Sequence, residues 1–257
     1  MANDTTQPSG AMTETVARSE SAQSAPRIQS DAAGIRALLL PIKDLRDAKQ
    51  RLAGILTPGE RFALAHAMLA DTFRAVSRVQ RADKIFVVTN YEPAMAGAAQ
   101  YGWEILHEQT QISESASVDF ASRLCAERGV KSLLRLPLDL PLVQPADIDE
   151  LFAVECTAPA TVMVPSRDGT GTNAILRTPP TLFPSHFGPN SFAKHRAEAE
   201  NADARIIVRR SERLEMDVDD EADLRALLRH DLTQTATGKW LEESGVAARF
   251  KSRAIAV

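Results

Sequence analysis

Along residues 35–154, short apolar runs alternate with longer stretches in which apolar positions recur every three or four residues. The first run, 35–42, carries Pro41 near its end and predicts a buried strand. The stretch after it has Thr57 and Glu60 at capping-box spacing and Pro58 at the first helical position. Leu64, Met68 and Phe73, with Ala65, Leu69 and Val76, form the apolar stripe of a helix. The alternation continues with strands at 84–89, 103–107 and from 130, and with helices at 92–101, 116–128 and 144–154. Strands separated by helices predict an α/β fold with a mostly parallel sheet and right-handed crossovers.

Beyond residue 155 the pattern is less regular. Apolar runs at 160–165 and 173–177 flank a loop rich in glycine and hydroxyl groups, RDGTGT. A short helix over 192–200, strands at 205–210 and 214–220, and a helix over 221–230 follow. Residues 1–33 are rich in Ser, Thr, Ala and Gln and read as a disordered extension; 231–257 reads as a tail with a single helix over 238–250. The main domain is placed at 34–230.

Composition narrows the function. The formal net charge of −4 offers no global basic field for nucleic acid, so an anion site has to be built locally. The two cysteines, Cys125 and Cys156, lack metal or redox spacing and fit a reducing cytoplasm. No apolar run reaches the roughly 18 residues of a membrane span.

Ligands on parallel sheets bind beyond the carboxyl ends of the strands, and four polar clusters fall there. Lys43, Lys49 and Arg51 follow the first strand, either as an anion cradle or as a solvated loop. Asp139 stands between Pro137 and Pro141 in an apolar context. It reads as a magnesium ligand or as a turn residue, because a buried carboxylate needs a partner. Asp217 and Asp219 alternate so as to share one face of a predicted strand, with Asp220 as a helix cap. Gly169 and Gly171 permit either a hairpin turn or a backbone cradle whose amides, with Thr170 and Thr172, hold an anion. A second segment, FGPNSFAKH, opens a helix. His195 within it is the histidine to watch.

These motifs, in this order, resemble the 2-phospho-L-lactate guanylyltransferase family, which serves assembly of the deazaflavin coenzyme F-420 and includes phosphoenolpyruvate and 3-phospho-D-glycerate guanylyltransferases. The resemblance covers residues 35–230. It implies a nucleotide-diphospho-sugar-transferase-like three-layer sandwich, with GTP, Mg2+ and a three-carbon phosphoacid as ligands. It implies Asp139 and Asp217 as the magnesium pair and Lys43 as a catalytic contact to the phosphates. Lys49 and Arg51 fall beside the triphosphate, and Thr172, Gly188 and Ser191 hold the phosphoacid. One segment departs from the family: Ser113, Ser115 and Ser117 stand where an L-N pair is usual, in a region expected near the nucleotide.

The expectation is a cytoplasmic guanylyltransferase that uses no nucleic acid or membrane partner and leaves a homodimer open. Two rivals remain. One is a nucleotidyltransferase for a sugar phosphate or molybdopterin, and the other is a nucleotide-binding protein without catalysis.

Overall fold

The computed structural model describes residues 34–155 and 157–255. The predicted N-terminal extension, 1–33, lies outside them. Seven strands form one sheet in the order β3-β2-β1-β4-β6-β5-β7. They are β1 (Ile35–Pro41), β2 (Lys84–Thr89), β3 (Glu104–His107), β4 (Val130–Arg135), β5 (Ala160–Pro165), β6 (Thr172–Thr178) and β7 (Arg205–Val208). The pairs β1–β2, β1–β4, β2–β3 and β5–β7 are parallel. Strand β6 runs antiparallel to both β4 and β5. The sheet is therefore mostly parallel, with one reversed strand supplied by the hairpin around the glycine loop.

Strand alternation divides the core into two faces. Leu38, Leu40, Val87, Leu134 and Leu176 face α1 (Pro58–Val76), α2 (Glu92–Gln100) and α4 (Pro145–Phe152). Ala37, Leu39, Phe86, Val88 and Leu133 face α3 (Glu114–Glu127) through Val118, Ala121 and Cys125. Helix layers on both faces give the three-layer sandwich. The capping box at Thr57 and Glu60 is present, with Pro58 opening α1 as its fixed φ allows.

Helix α1 is buried on two sides, so its apolar stripe is wider than sheet packing alone requires. Ala65, Leu69 and Phe73 meet the sheet, while Leu64 and Met68 join a second cluster with Leu224, Leu227, Leu241 and Phe250. That cluster is built by α7 (Glu221–Leu227), α8 (Ala236–Glu243) and α9 (Val246–Ile255). The single tail helix expected from sequence is two helices. Gly245, at φ +73°, breaks them apart in a conformation that other residues resist.

A second expectation also changes. Residues 214–220 pair with no strand of the sheet. Glu212–Glu215 forms one helical turn, α6, capped by Ser211, and an irregular segment follows. A short ladder-like bond, from the Val218 amide to the Asp139 carbonyl at 3.2 Å, holds it. Met216 and Val218 still enter the second apolar cluster. The period-two alternation therefore survives without a sheet partner, and it turns Asp217 and Asp219 towards the strand ends. Helix α5 (Ser191–Asn201) completes the fold beside β5 and β7.

Candidate active site

A cleft of about 770 Å³ opens at the carboxyl ends of β1 and β4 and is closed on its far side by the β5–β6 turn. Lys43, Lys49, Arg51, Asp139, Thr172, Gly188, Ser191 and Asp217 all line it. Lys43 is exposed and has no carboxylate partner among the described residues.

One corner is acidic. Lys49 adopts φ 56° ahead of a 3-10 turn, Gln50–Leu52, and directs its ammonium inward. Its Nζ donates to Asp139 Oδ2 at 2.9 Å and to Asp219 Oδ1 at 3.0 Å. Arg51 lies 3.8 Å from the other Asp219 oxygen, more than half exposed. Burial pushes the Asp139 carboxyl up, but the Lys49 charge and hydrogen bond outweigh it and hold the group below its ordinary value. The Lys49 ammonium is raised: burial opposes the charge, and the two aspartates override it. Asp217 lacks such a partner. Burial first, and then the Asp139 charge, push its pKa up to about 6, against a hydrogen bond from Asn173 Nδ2 at 3.1 Å.

Lys49, expected beside the triphosphate, lines the cleft and sits between two carboxylates. Its second partner, Asp219, is the residue that the expected metal pair left out. Among the described residues no three His, Cys, Asp or Glu side chains are placed to hold a metal ion. The corner still suits magnesium, which takes carboxylate oxygens, keeps several waters and completes its shell with substrate phosphates. Asp217 is raised by burial first and by the Asp139 charge second, and a cation in this corner would relieve the second cause.

The other side is built from two loops. In the first, Ser166 Oγ accepts from the Gly171 amide at 2.7 Å and donates to Asp168 at 2.6 Å. The Thr170 amide donates to Asp168 at 2.9 Å, and the Gly169 amide to the Ser166 carbonyl at 2.9 Å. The amides of Gly169, Thr170 and Gly171 are thus spent on the loop itself, as a tight turn requires. Gly169 supplies φ +78°, and a Cβ on Gly171 would stand 2.8 Å from Ser166 Oγ. The glycines make a tight turn that delivers Thr172 to the cleft. The second loop carries Gly188 at φ +114°, whose amide has no acceptor among the described residues. Ser191, at the start of α5, is buried.

Arg135 and Asn173 belong to the site although neither is among the residues expected from sequence. Arg135, buried at the end of β4, donates to the Asn173 carbonyl at 2.9 Å and pairs with Glu114. Its guanidinium lies 4.1 Å from the Phe187 ring centre, and its Nε has no partner. An arginine in the apolar run LLRLP was the available signal, since a buried guanidinium needs several acceptors. Asn173 links Asp217 to the Leu214 carbonyl at 2.9 Å. His195 is fully buried, with Nδ1 3.0 Å from Thr172 Oγ1. The unusual serines lie on this side as well. Ser113 caps α3, Ser117 donates to Glu108, and Ser115 Oγ accepts from the Phe187 amide at 2.8 Å. The segment expected near the nucleotide therefore braces the Gly188 loop.

The sequence model of the "Guanylyl transferase CofC like" family matches residues 36–255, so the similarity extends past the limit expected at 230 and takes in α8 and α9. The phosphoenolpyruvate guanylyltransferase of Conexibacter woesei is 36% identical over 190 residues, covering 74% of this chain and 85% of its own. The 2-phospho-L-lactate guanylyltransferase of Methanothermobacter thermautotrophicus is 29% identical, covering 75% and 83%. The 3-phospho-D-glycerate guanylyltransferase of Colwellia psychrerythraea is 30% identical, covering 77% and 94%. Among solved structures, a protein of Desulfovibrio desulfuricans G20, provisionally assigned as a nucleotide-diphospho-sugar transferase, superposes with a TM-score of 0.67 at 14% identity. That match covers 83% of this chain and 96% of the other, and it shows the shared fold.

Proposed function

The chain belongs to the CofC-like guanylyl transferase family, and from that premise we propose that it transfers GMP from GTP to the phosphate of a three-carbon phosphoacid. Phosphoenolpyruvate, 2-phospho-L-lactate and 3-phospho-D-glycerate are the candidate acceptors, as they are for the named relatives. Phosphoenolpyruvate is the first to test, because the relative with 36% identity uses that name. The setting is the cytoplasm, in assembly of coenzyme F-420. No helix among the described residues is long and apolar enough to cross a membrane.

One observation carries the reading. Thr172 and Asn173 are neighbours at the start of β6, and their side chains reach opposite parts of one cleft. Asn173 bonds Asp217 in the acidic corner, and Thr172 bonds His195 beside Ser191 and the Gly188 loop. A metal-bound triphosphate and a second anion would therefore lie within one residue's span of each other, as attack on a phosphorus atom demands.

An acceptor phosphate oxygen forms the new bond to the α-phosphorus, and the bond to the β-phosphate oxygen breaks, releasing pyrophosphate. A phosphate monoester has a second pKa near ~6 and is largely dianionic at neutral pH, so no general base is required. The barrier is mainly repulsion between anions. Asp139 and Asp217 would hold magnesium, which supplies charge neutralisation at the triphosphate. Lys43, and Arg51 beside Asp219, add positive charge along the cleft, and Lys49 keeps Asp139 ionised.

The test is incubation with GTP, magnesium and each acid in turn, with products identified by mass and pyrophosphate assayed. The expected result is one guanylylated acid with an equal yield of pyrophosphate. No adduct with any of the three would overturn the reading.

A further inference from the structure

We propose that His195 is a positioning residue that fixes the Thr172 hydroxyl as a hydrogen-bond donor towards the anionic acceptor. The inference rests on the reading of Thr172 as part of the acceptor site.

The direction of each hydrogen bond follows from one fixed donor. The His186 backbone amide lies 2.8 Å from His195 Nε2 and points its hydrogen at it. A backbone N–H only donates, so Nε2 is bare. The bond made by one imidazole nitrogen sets the state of the other, and a neutral ring then carries its proton on Nδ1. Nδ1 lies 3.0 Å from Thr172 Oγ1, so the imidazole donates and the hydroxyl oxygen accepts. The Thr172 hydroxyl has no other partner among the described residues, and Thr172 lines the cleft. Its hydrogen is left for whatever enters. The opposite tautomer would draw that hydrogen to the ring and turn lone pairs towards an incoming anion.

The surroundings keep the ring in this state. His195 is fully buried, and Phe187 packs edge-on at 4.9 Å. Burial, and then the cations Arg177 and Arg135, with His186 and Lys194 behind them, hold its pKa down to about 3. The ring therefore stays neutral across the working range. Its position is also shared among the three acceptor elements. It sits one turn after Ser191 on α5, bonds Thr172 on β6, and anchors the loop of Gly188 through the His186 amide. This network is the reason a histidine, rather than an apolar residue, fills a wholly buried position.

Two substitutions separate the ring's two bonds. His195→Gln keeps an acceptor near the Nε2 position and loses the donor to Thr172. His195→Asn keeps a donor near Nδ1 and loses the acceptor. On the full chain, His195→Gln should raise KM for phosphoenolpyruvate roughly ten- to a hundred-fold, with kcat and KM for GTP nearly unchanged. His195→Asn should recover most of that loss. Because the effect passes through one hydroxyl, Thr172→Val with His195→Gln should be no worse than Thr172→Val alone. Losses that multiply, or an unaltered acid KM in His195→Gln, would overturn the proposal.

A second readout does not depend on turnover. In ¹⁵N-histidine-labelled protein, with His195 identified by its loss in either variant, Nε2 should give the signal of a bare nitrogen and Nδ1 that of a protonated one. Both should hold steady from about pH 5.5 to 8, where an ordinary histidine titrates. A protonated Nε2 would overturn the assignment even if both variants fold poorly. If wild-type protein guanylylates none of the three acids, the proposed function fails. The spectrum, together with calorimetric binding of phosphoenolpyruvate to wild type and His195→Gln, still judges this inference.

Discussion

Asp139 and Asp217 occupy one corner of the cleft, yet their charges meet opposite conditions. Asp139 is paired with Lys49 at 2.9 Å and stays ionised, whereas Asp217 is pushed up to about 6 by burial and by its neighbour's charge. Asn at either position keeps the shape and removes one of the two carboxylates proposed to hold magnesium, so both variants should lose at least about a hundred-fold in turnover. Their stabilities should diverge. A carboxyl whose folded pKa exceeds its unfolded value costs nothing while protonated in both states. Its cost grows as pH rises from about 4 to about 6, and persists above that. Asp217→Asn should therefore stabilise the chelator-treated protein at pH 7, by about 1–2 kcal/mol for a partly exposed side chain, and leave it unchanged near pH 4. Asp139→Asn should destabilise at pH 7, because the pair with Lys49 is present above the carboxylate's ordinary pKa and fades as pH falls. Thermal denaturation of both variants against pH checks this, and a destabilised Asp217→Asn would contradict it.

Between elements, polar contacts add to the apolar cluster that holds the C-terminal helices on α1. The buried Asp71 carboxylate on α1 accepts from the Ala236 amide at 2.7 Å and the Thr237 amide at 2.9 Å, capping α8 from another helix. Asp71→Ala strands two donors at that start and should cost about 2–3 kcal/mol, read from the denaturant midpoint. The two glycine loops predict different behaviour. A Cβ on Gly171 collides with Ser166, whereas one on Gly188 meets nothing within 4 Å. Gly188→Ala acts through its backbone at φ +114° and should raise the acid KM several-fold or more while sparing GTP. Gly171→Ala disturbs the turn that delivers both Thr172 and Asn173, so it should weaken both substrates. Equal effects of the two substitutions on GTP would show that the loops do not serve separate ligands.

At the scale of the whole chain, the cleft's lining among the described residues runs from Pro41 to Asp223. A protein beginning at Gly34 retains β1 and everything that β1 supports. Its turnover should match the full chain to within about two-fold, because a segment this poor in apolar residues contributes little to a core. A large loss in a folded, truncated protein would place part of residues 1–33 in the site. The family match to residue 255, with α8 packed on α1, predicts the opposite at the other end. Deletion from Asp231 exposes Leu64 and Met68, which belong to the second apolar cluster, and should leave an insoluble or unfolded product.

Much of the architecture was legible in local pattern. The alternation of runs and stripes, the capping box at Thr57 and the proline after it determine the elements from 35 to 154 through short-range sterics and periodicity. The membership of the cleft was legible too, because polar residues at strand ends have few places to go in a parallel sheet. What each of those residues touches was not. Lys49 meets carboxylates 90 and 170 positions away, an encounter set by strand order. RDGTGT allows either a hairpin turn or an anion cradle, and the bonds of the Thr170 and Gly171 amides to Asp168 and Ser166 are a choice between equally available local acceptors that packing makes. The segment 214–220 has a strand's alternation but is held by only one such bond, because pairing depends on a neighbouring edge and not on the pattern itself. The tautomer of His195 depends on an amide nine residues earlier, brought against it by a loop that no periodicity describes.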